Sequence, residues 1–172
     1  LQQQDREPAL VAGHSLGELV ALYSAGVFGL ETGLLLMKTR SELMAKAGGG
    51  AMTAVIGFDR AQLDDLVAAT DGVSIANDNS YAQVVISGSP EAVERVSGAL
   101  RCKRAIPLAV SGAFHSPFMA EAAERFAAEL DNVPFLDARV PVLSNSAASA
   151  STNADELKPV SYTHLRAHET DY

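Results

Sequence analysis

Apolar and polar positions change rhythm along this chain, and the changes divide it. A short apolar run, Ala9 to Ala12, precedes a stripe in which Leu16, Leu19, Val20 and Tyr23 recur at helix spacing up to Ala25. Gly26 and Gly29 end that helix. A second helix is predicted from Glu31 to Lys46, with Leu34, Leu35, Met37 and Met44 as core candidates. Gly48-Gly49-Gly50 breaks it. The rhythm then shifts to short strands. Ala51 to Gly57 reads as a strand, and Asp59 caps a helix running to about Ala69. Val73 to Ala76 and Gln83 to Ser87 read as strands joined by a turn at Asn77-Asp78-Asn79-Ser80. Ser89-Pro90 opens a helix to about Leu100, with serine as cap and proline at its first position. Arg104 to Val110 closes the series as a strand. The order β-α-β-β-α-β over residues 51–110 is the split βαβ, or ferredoxin-like, pattern, expected as a small subdomain inserted into a larger α/β one.

Beyond it, Ser111 to Pro117 is rich in turn residues and leads into a helix, Phe118 to Leu130. Val140 to Asn145 is a short strand ending in a polar turn, and residues 146–153 are an Ala/Ser/Thr-rich loop. Ala154 to Leu157 starts a helix, whereas residues 160–172 are polar and lack an apolar face. Residues 1–8 read as the tail of a helix and a loop.

Composition narrows the function classes. The 172 residues carry 13 basic and 21 acidic side chains, a net charge of −8. That disfavours nucleic acid and anionic membranes as partners, while leaving room for an anionic ligand met by locally placed cations. No apolar run approaches a membrane span, and no basic region followed by an apolar one opens the chain. Cys102 is the only cysteine, so no internal disulfide forms, which suits a reducing, cytoplasmic setting. Arg101, Lys103 and Arg104 flank it; the thiol reads as a spectator, and the basic cluster as surface charge ahead of a carrier-protein dock.

The chemistry gathers at Gly13-His14-Ser15-Leu16-Gly17. Gly-X-Ser-X-Gly between a strand and a helix is a nucleophile elbow. Both glycines are expected to relieve backbone crowding, and the helix start to direct N–H groups at a developing oxyanion. The serine needs a base. His14 flanks the turn, and His115, in a Gly/Pro-punctuated loop, is the better candidate, with an ordinary loop histidine as the equal alternative. Arg40, taken alone, reads as a solvated helix charge. Asn77 and Asn79 read as turn residues first and cleft residues second. His164 and His168 have a helical metal spacing, yet no further ligand group accompanies them, so no metal site is expected.

Several spaced motifs carry a resemblance: Gly13-His14-Ser15-Leu16-Gly17-Glu18, then Arg40 and Met44, Gly50-Ala51-Met52, Asn77-Asp78-Asn79-Ser80 with Gln83 to Gly88, and Gly112-Ala113-Phe114-His115-Ser116. From about Pro8 to Asn145 the chain resembles the malonyl-CoA:acyl carrier protein transacylases of bacterial fatty acid synthesis. The resemblance implies an α/β-hydrolase-like larger domain with a ferredoxin-like insert. It implies that Ser15 attacks malonyl-CoA, that His115 takes its proton, and that the Leu16 N–H donates to the oxyanion. The malonyl group then passes to the phosphopantetheine thiol of acyl carrier protein, with no cofactor bound by the chain itself. Arg40 would grip the free malonyl carboxylate through its planar guanidinium. Phe114 resembles the malonyl-type pattern. His14, Met44, Asn77 and Asn145 complete the substrate-side candidates, Asn145 also as an orienter of His115.

The expected division is therefore a larger core at 1–50 and 111–159, a small subdomain at 51–110 and an unmatched tail at 160–172. The resemblance further implies a Gly-Gln-Gly loop before the matched region and a helix, a strand and a glycine loop after it. The chain is thus expected to be a fragment that builds only part of the site. Two other readings stay open. One is the acyltransferase domain of a polyketide or fatty-acid synthase. The other is a serine esterase or thioesterase, with Asp71 or Asp78 as its acid. A remnant that only binds CoA or carrier protein is a further class.

Overall fold

The computed structural model describes residues 7–110, 112–147, 149–163 and 165. They fall into two compact units, one within Leu1–Ser41 and Arg125–His164, the other within Glu42–Glu124 and Leu165–Tyr172. The fold is mixed α/β. The first residues and most of the 160–172 segment, including His164 and His168, lie outside the described residues.

In the first unit, β1 (Val11–Ala12) pairs in parallel with β6 (Val142–Leu143), Val11 opposite Val142. Between them in sequence come α1 (Gly17–Ser24), α2 (Leu30–Lys46), whose residues from Glu42 on fall in the second unit, and α5 (Ala120–Asp131), whose residues up to Glu124 do so too; α6 (Ala154–Thr163) follows. Ala25 and Val27 are laced to the return segment by Arg139 N–H to Ala25 O at 2.8 Å and Leu136 N–H to Val27 O at 2.9 Å. Leu22, Phe126, Leu130, Val142 and Leu157 are buried.

Apolar periodicity misjudged this unit's faces. α1 turns Glu18, Leu19, Ala21 and Leu22 inward, while Val20 and Tyr23 are exposed and Leu16 is the cap residue rather than a helical one. The helix is apolar nearly all round, so spacing alone leaves its inner stripe undetermined. Leu34 and Leu35, expected in the core, are 57% and 61% exposed, whereas Met44 is buried. α6 also runs past Leu157 and through Pro159. Its inner face is Leu157 with Ser161, whose hydroxyl bonds back to Leu157 O at 2.8 Å, a polar stripe that hydropathy does not register.

The second unit follows the expected element order: β2 (Ala51–Phe58), α3 (Arg60–Ala68), β3 (Val73–Ser80), β4 (Gln83–Gly88), α4 (Pro90–Ala99) and β5 (Cys102–Pro107). The four strands form an antiparallel sheet in the order β3-β4-β2-β5. Side chains alternate as the pleat demands. Val55, Val84 and Ile86 pack with Leu63 of α3 and Val93 and Val96 of α4. Met52, Ala54, Ala76 and Val85 line the opposite face. Both helices start on side-chain caps: Asp59 accepts from Gln62 N–H at 2.9 Å, and Ser89 from Ala92 N–H at 3.2 Å.

The expected turn at Asn77–Ser80 is not one. β3 continues through these residues, and the hairpin closes at Tyr81-Ala82, between Ser80 and its partner Gln83. Register shifts between Ile75 and Asn77 and between Asp78 and Ser80 accommodate the polar run. Bulges of this kind let turn-prone residues stay in a ladder. Lys103 and Arg104 lie exposed on edge strand β5, where charge discourages pairing with another chain.

Candidate active site

The elbow is built by one glycine rather than two. A Cβ at Gly13 would lie 1.9 Å from Gly17 O and 2.7 Å from Glu18 N, so position 13 admits no side chain. At Gly17 an added Cβ meets nothing within 4 Å, which corrects the expectation that both glycines relieve crowding. Between them Ser15 sits at φ 53°, in the left-handed region. Such a conformation costs roughly 1–3 kcal/mol for a side chain of this kind and persists only where its surroundings enforce it. Among the described residues only one other non-glycine residue has a positive φ, and it is His115, at 54°.

After Ser15 the helix tightens at once. Gly17 N–H bonds to His14 O at 2.9 Å and Glu18 N–H to Ser15 O at 3.1 Å. The Leu16 N–H has no acceptor among the described residues. It is the orphan donor that the start of a helix leaves.

Arg40 is not a solvated charge. It is buried on α2, and its Nη2 donates to Ser15 Oγ at 2.9 Å. Its Nε is also buried and has no acceptor among the described residues. Burial pulls the guanidinium down to about 10, against an opposing pull from the Glu18 carboxylate. It therefore keeps its charge at neutral pH.

Glu18, read as an ordinary member of the motif, is nearly fully buried in the first turn of α1. Burial raises its carboxyl above the ordinary range, and the Asn145 hydrogen bonds and Arg40 only partly offset this. Asn145, just beyond β6, gathers the elbow. Its Oδ1 accepts from Ser15 N–H at 3.1 Å, and its Nδ2 donates to Gly13 O at 3.1 Å and to Glu18 Oε2. The Asn145 N–H donates to the same Oε2 at 3.0 Å. The sequence marks Glu18 only as the last residue of the elbow motif and assigns it no role, because an acid in a first helical turn is ordinarily a solvated partner of the helix dipole.

Ser15, Arg40 and Asn145 are thus brought together in the first unit, with His14 exposed beside them in the chain. His115, Phe114, Met44 and Asn77 belong to the second unit. There His115 is buried in a tight loop. Ser116 Oγ donates to Ala113 O at 2.6 Å, accepts from Phe118 N–H at 3.3 Å and caps the 3-10 turn Pro117–Met119. Gly50 lets this loop approach, since a Cβ there would lie 2.3 Å from Ala113 Cβ. Phe114 packs on the Met52-Ala54-Ala76-Val85 face of the sheet. Asn77 lies on β3 opposite Val85. Asp71 is exposed, and Asp78 is held at the surface by Arg60 at 2.5 Å. Among the described residues no group of three or more His, Cys, Asp or Glu side chains forms a metal-binding cluster.

The family model described as acyl transferase domain matches residues 1–167, a wider span than the motifs alone suggested. A malonyl CoA-acyl carrier protein transacylase of Synechocystis sp. is 51% identical over 158 residues, which cover 92% of this chain and 54% of that protein. The chain belongs to the acyl transferase domain family. The crystal structure of a Synechocystis transacylase superposes with a TM-score of 0.93 at 48% identity, over 96% of this chain and 57% of that one. A second transacylase, solved in complex with a type II polyketide acyl carrier protein, superposes at 0.88 with 35% identity, over 96% and 57% of the two chains. The chain spans about half the length of the transacylases it matches.

Proposed function

We propose that this chain carries the acyl-accepting centre of a malonyl-CoA:acyl carrier protein transacylase. The observation that carries the reading is Arg40: a buried guanidinium with Nη2 2.9 Å from Ser15 Oγ and an unpartnered Nε. A buried cation at a nucleophile is costly unless the substrate supplies the opposite charge. The free carboxylate of a malonyl group does so while its thioester lies at Ser15. An acetyl group does not, and leaves the guanidinium unpaired.

The chemistry is a two-step exchange. Ser15 Oγ bonds to the thioester carbonyl carbon as its proton passes to His115, and the Leu16 N–H donates to the carbonyl oxygen as charge builds there. The C–S bond then breaks and the proton leaves with the CoA sulfur. In the second half the phosphopantetheine thiol of acyl carrier protein attacks the malonyl-serine ester, and Ser15 recovers its proton through His115. Phe114, His14, Met44 and Asn77 are the substrate-side candidates of this reading. Residues 1–50 and 111–159 are read as an α/β-hydrolase-like core. Residues 51–110 are read as a ferredoxin-like subdomain, a reading supported by their β-α-β-β-α-β order. No helix among the described residues is long and apolar enough to cross a membrane; the setting proposed is cytoplasmic, in fatty acid synthesis.

An esterase reading is less well supported. The acids available to it, Asp71 and Asp78, are exposed, and Asp78 is committed to Arg60. A neutral ester also has no use for a charge at Oγ. The test is to incubate the chain with malonyl-CoA and then with holo acyl carrier protein, following intact mass at each stage. A malonyl adduct on Ser15 that moves to the carrier supports the proposal. An adduct released only to water would make the protein a thioesterase.

A further inference from the structure

A left-handed serine three residues beyond a two-residue strand needs its peptide held in place. The hold comes from a residue 130 positions away. β6 lies beside β1 in parallel register, so the chain leaves β6 alongside the elbow that leaves β1. Asn145 occupies that exit. One side-chain amide there meets three different groups, with its oxygen toward the Ser15 N–H and its nitrogen toward Gly13 O and Glu18 Oε2. The reverse amide orientation would set N–H against N–H and oxygen against oxygen, so the network itself fixes the assignment. Glu18 then holds Asn145 twice, at its main-chain N–H and at its Nδ2. A nearly fully buried carboxylate spends one oxygen on a single residue.

We infer that Asn145 and Glu18 act as one positioning device, a tether that fixes the Ser15 peptide and so sets the direction of the Ser15 hydroxyl and of the Leu16 N–H. Neither residue needs to touch the acyl group. Asn145 fits where aspartate would not, because aspartate accepts from Ser15 N–H but cannot donate to Gly13 O or to Glu18. Glutamine at 18 keeps an oxygen able to accept both Asn145 donors, whereas alanine keeps none. The inference rests on Ser15 being the acyl-accepting nucleophile, and its test separates the two.

The experiment measures the rate of Ser15 malonylation against malonyl-CoA concentration, together with hydrogen exchange of the Ser15 amide, in the full chain. Asn145→Ala should lower the limiting rate on the order of 100-fold, as misplacement by about an ångström does, with half-saturation unchanged. Its Ser15 amide should exchange faster. Asn145→Asp, the same size and shape, should lose rate as heavily. Glu18→Gln should stay within about threefold of the parent. Glu18→Ala should fall with Asn145→Ala, and the double variant should fall little further than either, because one device has been removed. Full rate in Asn145→Ala, a loss confined to half-saturation, or additive losses in the double variant would overturn the tether. If the parent chain takes no malonyl, the transacylase reading fails alone. The Ser15 amide must still exchange faster in Asn145→Ala, and unchanged exchange would overturn the tether separately.

Discussion

The two units solve opposite problems. In the second, the central strands β2 and β4 put alternate side chains on two packed faces, one under α3 and α4 and the other lined by Met52, Ala54, Ala76 and Val85. Hydrophobic burial and the pattern in the sequence agree there. In the first, the sheet is two residues deep, Val20, Leu34 and Leu35 face outward, and Glu18 and Arg40 are buried instead. For both charged groups burial outweighs their mutual attraction, since Glu18 is shifted up and Arg40 down, each toward its neutral form. The contrast teaches that the candidate nucleophile belongs to the unit in which charged groups are buried for polar geometry, while the other unit is organised by ordinary packing.

The largest effects should come from breaking each unit at its own support. Leu63→Ala removes a fully buried side chain from the α3 face and should cost about 2–5 kcal/mol in denaturant unfolding. In the first unit the matching lesion is Gly13→Ala, whose Cβ has no room. It should abolish Ser15 acylation, while Gly17→Ala should keep activity and gain about 0.5–1 kcal/mol from helix propensity. Equal damage at both glycines would refute the one-sided elbow.

A smaller effect is pH-dependent. Folding raises the Glu18 carboxyl above its ordinary 4.5, so the fold favours its protonated form. Its contribution to stability is full below about 4.5 and is lost as pH rises through the folded value. Glu18→Gln should remove that loss, so the difference between variant and parent in urea unfolding should grow in the variant's favour on going from acid to neutral pH. A constant difference across that window would mean that the carboxyl carries no such burden. Smaller again, Asp59→Ala should cost about 1 kcal/mol through its lost cap. Leu34→Ser should change stability by no more than about 0.5 kcal/mol, as an exposed position does.

Legibility follows how local the deciding contact is. Asp59 and Ser89-Pro90 announce their helices because capping is local chemistry, and the alternation of residues 51–57 and 83–87 announces its strands. Ser15 is legible because its glycine is forced by a contact only four residues away. Asn77 to Ser80 misled because turn-prone residues also fit a bulged strand, and only the pairing with β4 decides. α1 misled because two apolar stripes compete and the backing chosen depends on distant segments. Glu18 and Asn145 were least legible: their roles arise from a meeting 127 positions apart, which no local pattern encodes.

The central claim is that Arg40 makes Ser15 a malonyl-selective nucleophile. The measurement is a competition in which the chain meets equal malonyl-CoA and acetyl-CoA, and the two Ser15 adducts are counted by mass in the parent and in Arg40→Ala. The account predicts a strong malonyl preference in the parent that collapses in the variant, with acetyl loading kept or raised. An unchanged malonyl preference in Arg40→Ala would contradict it.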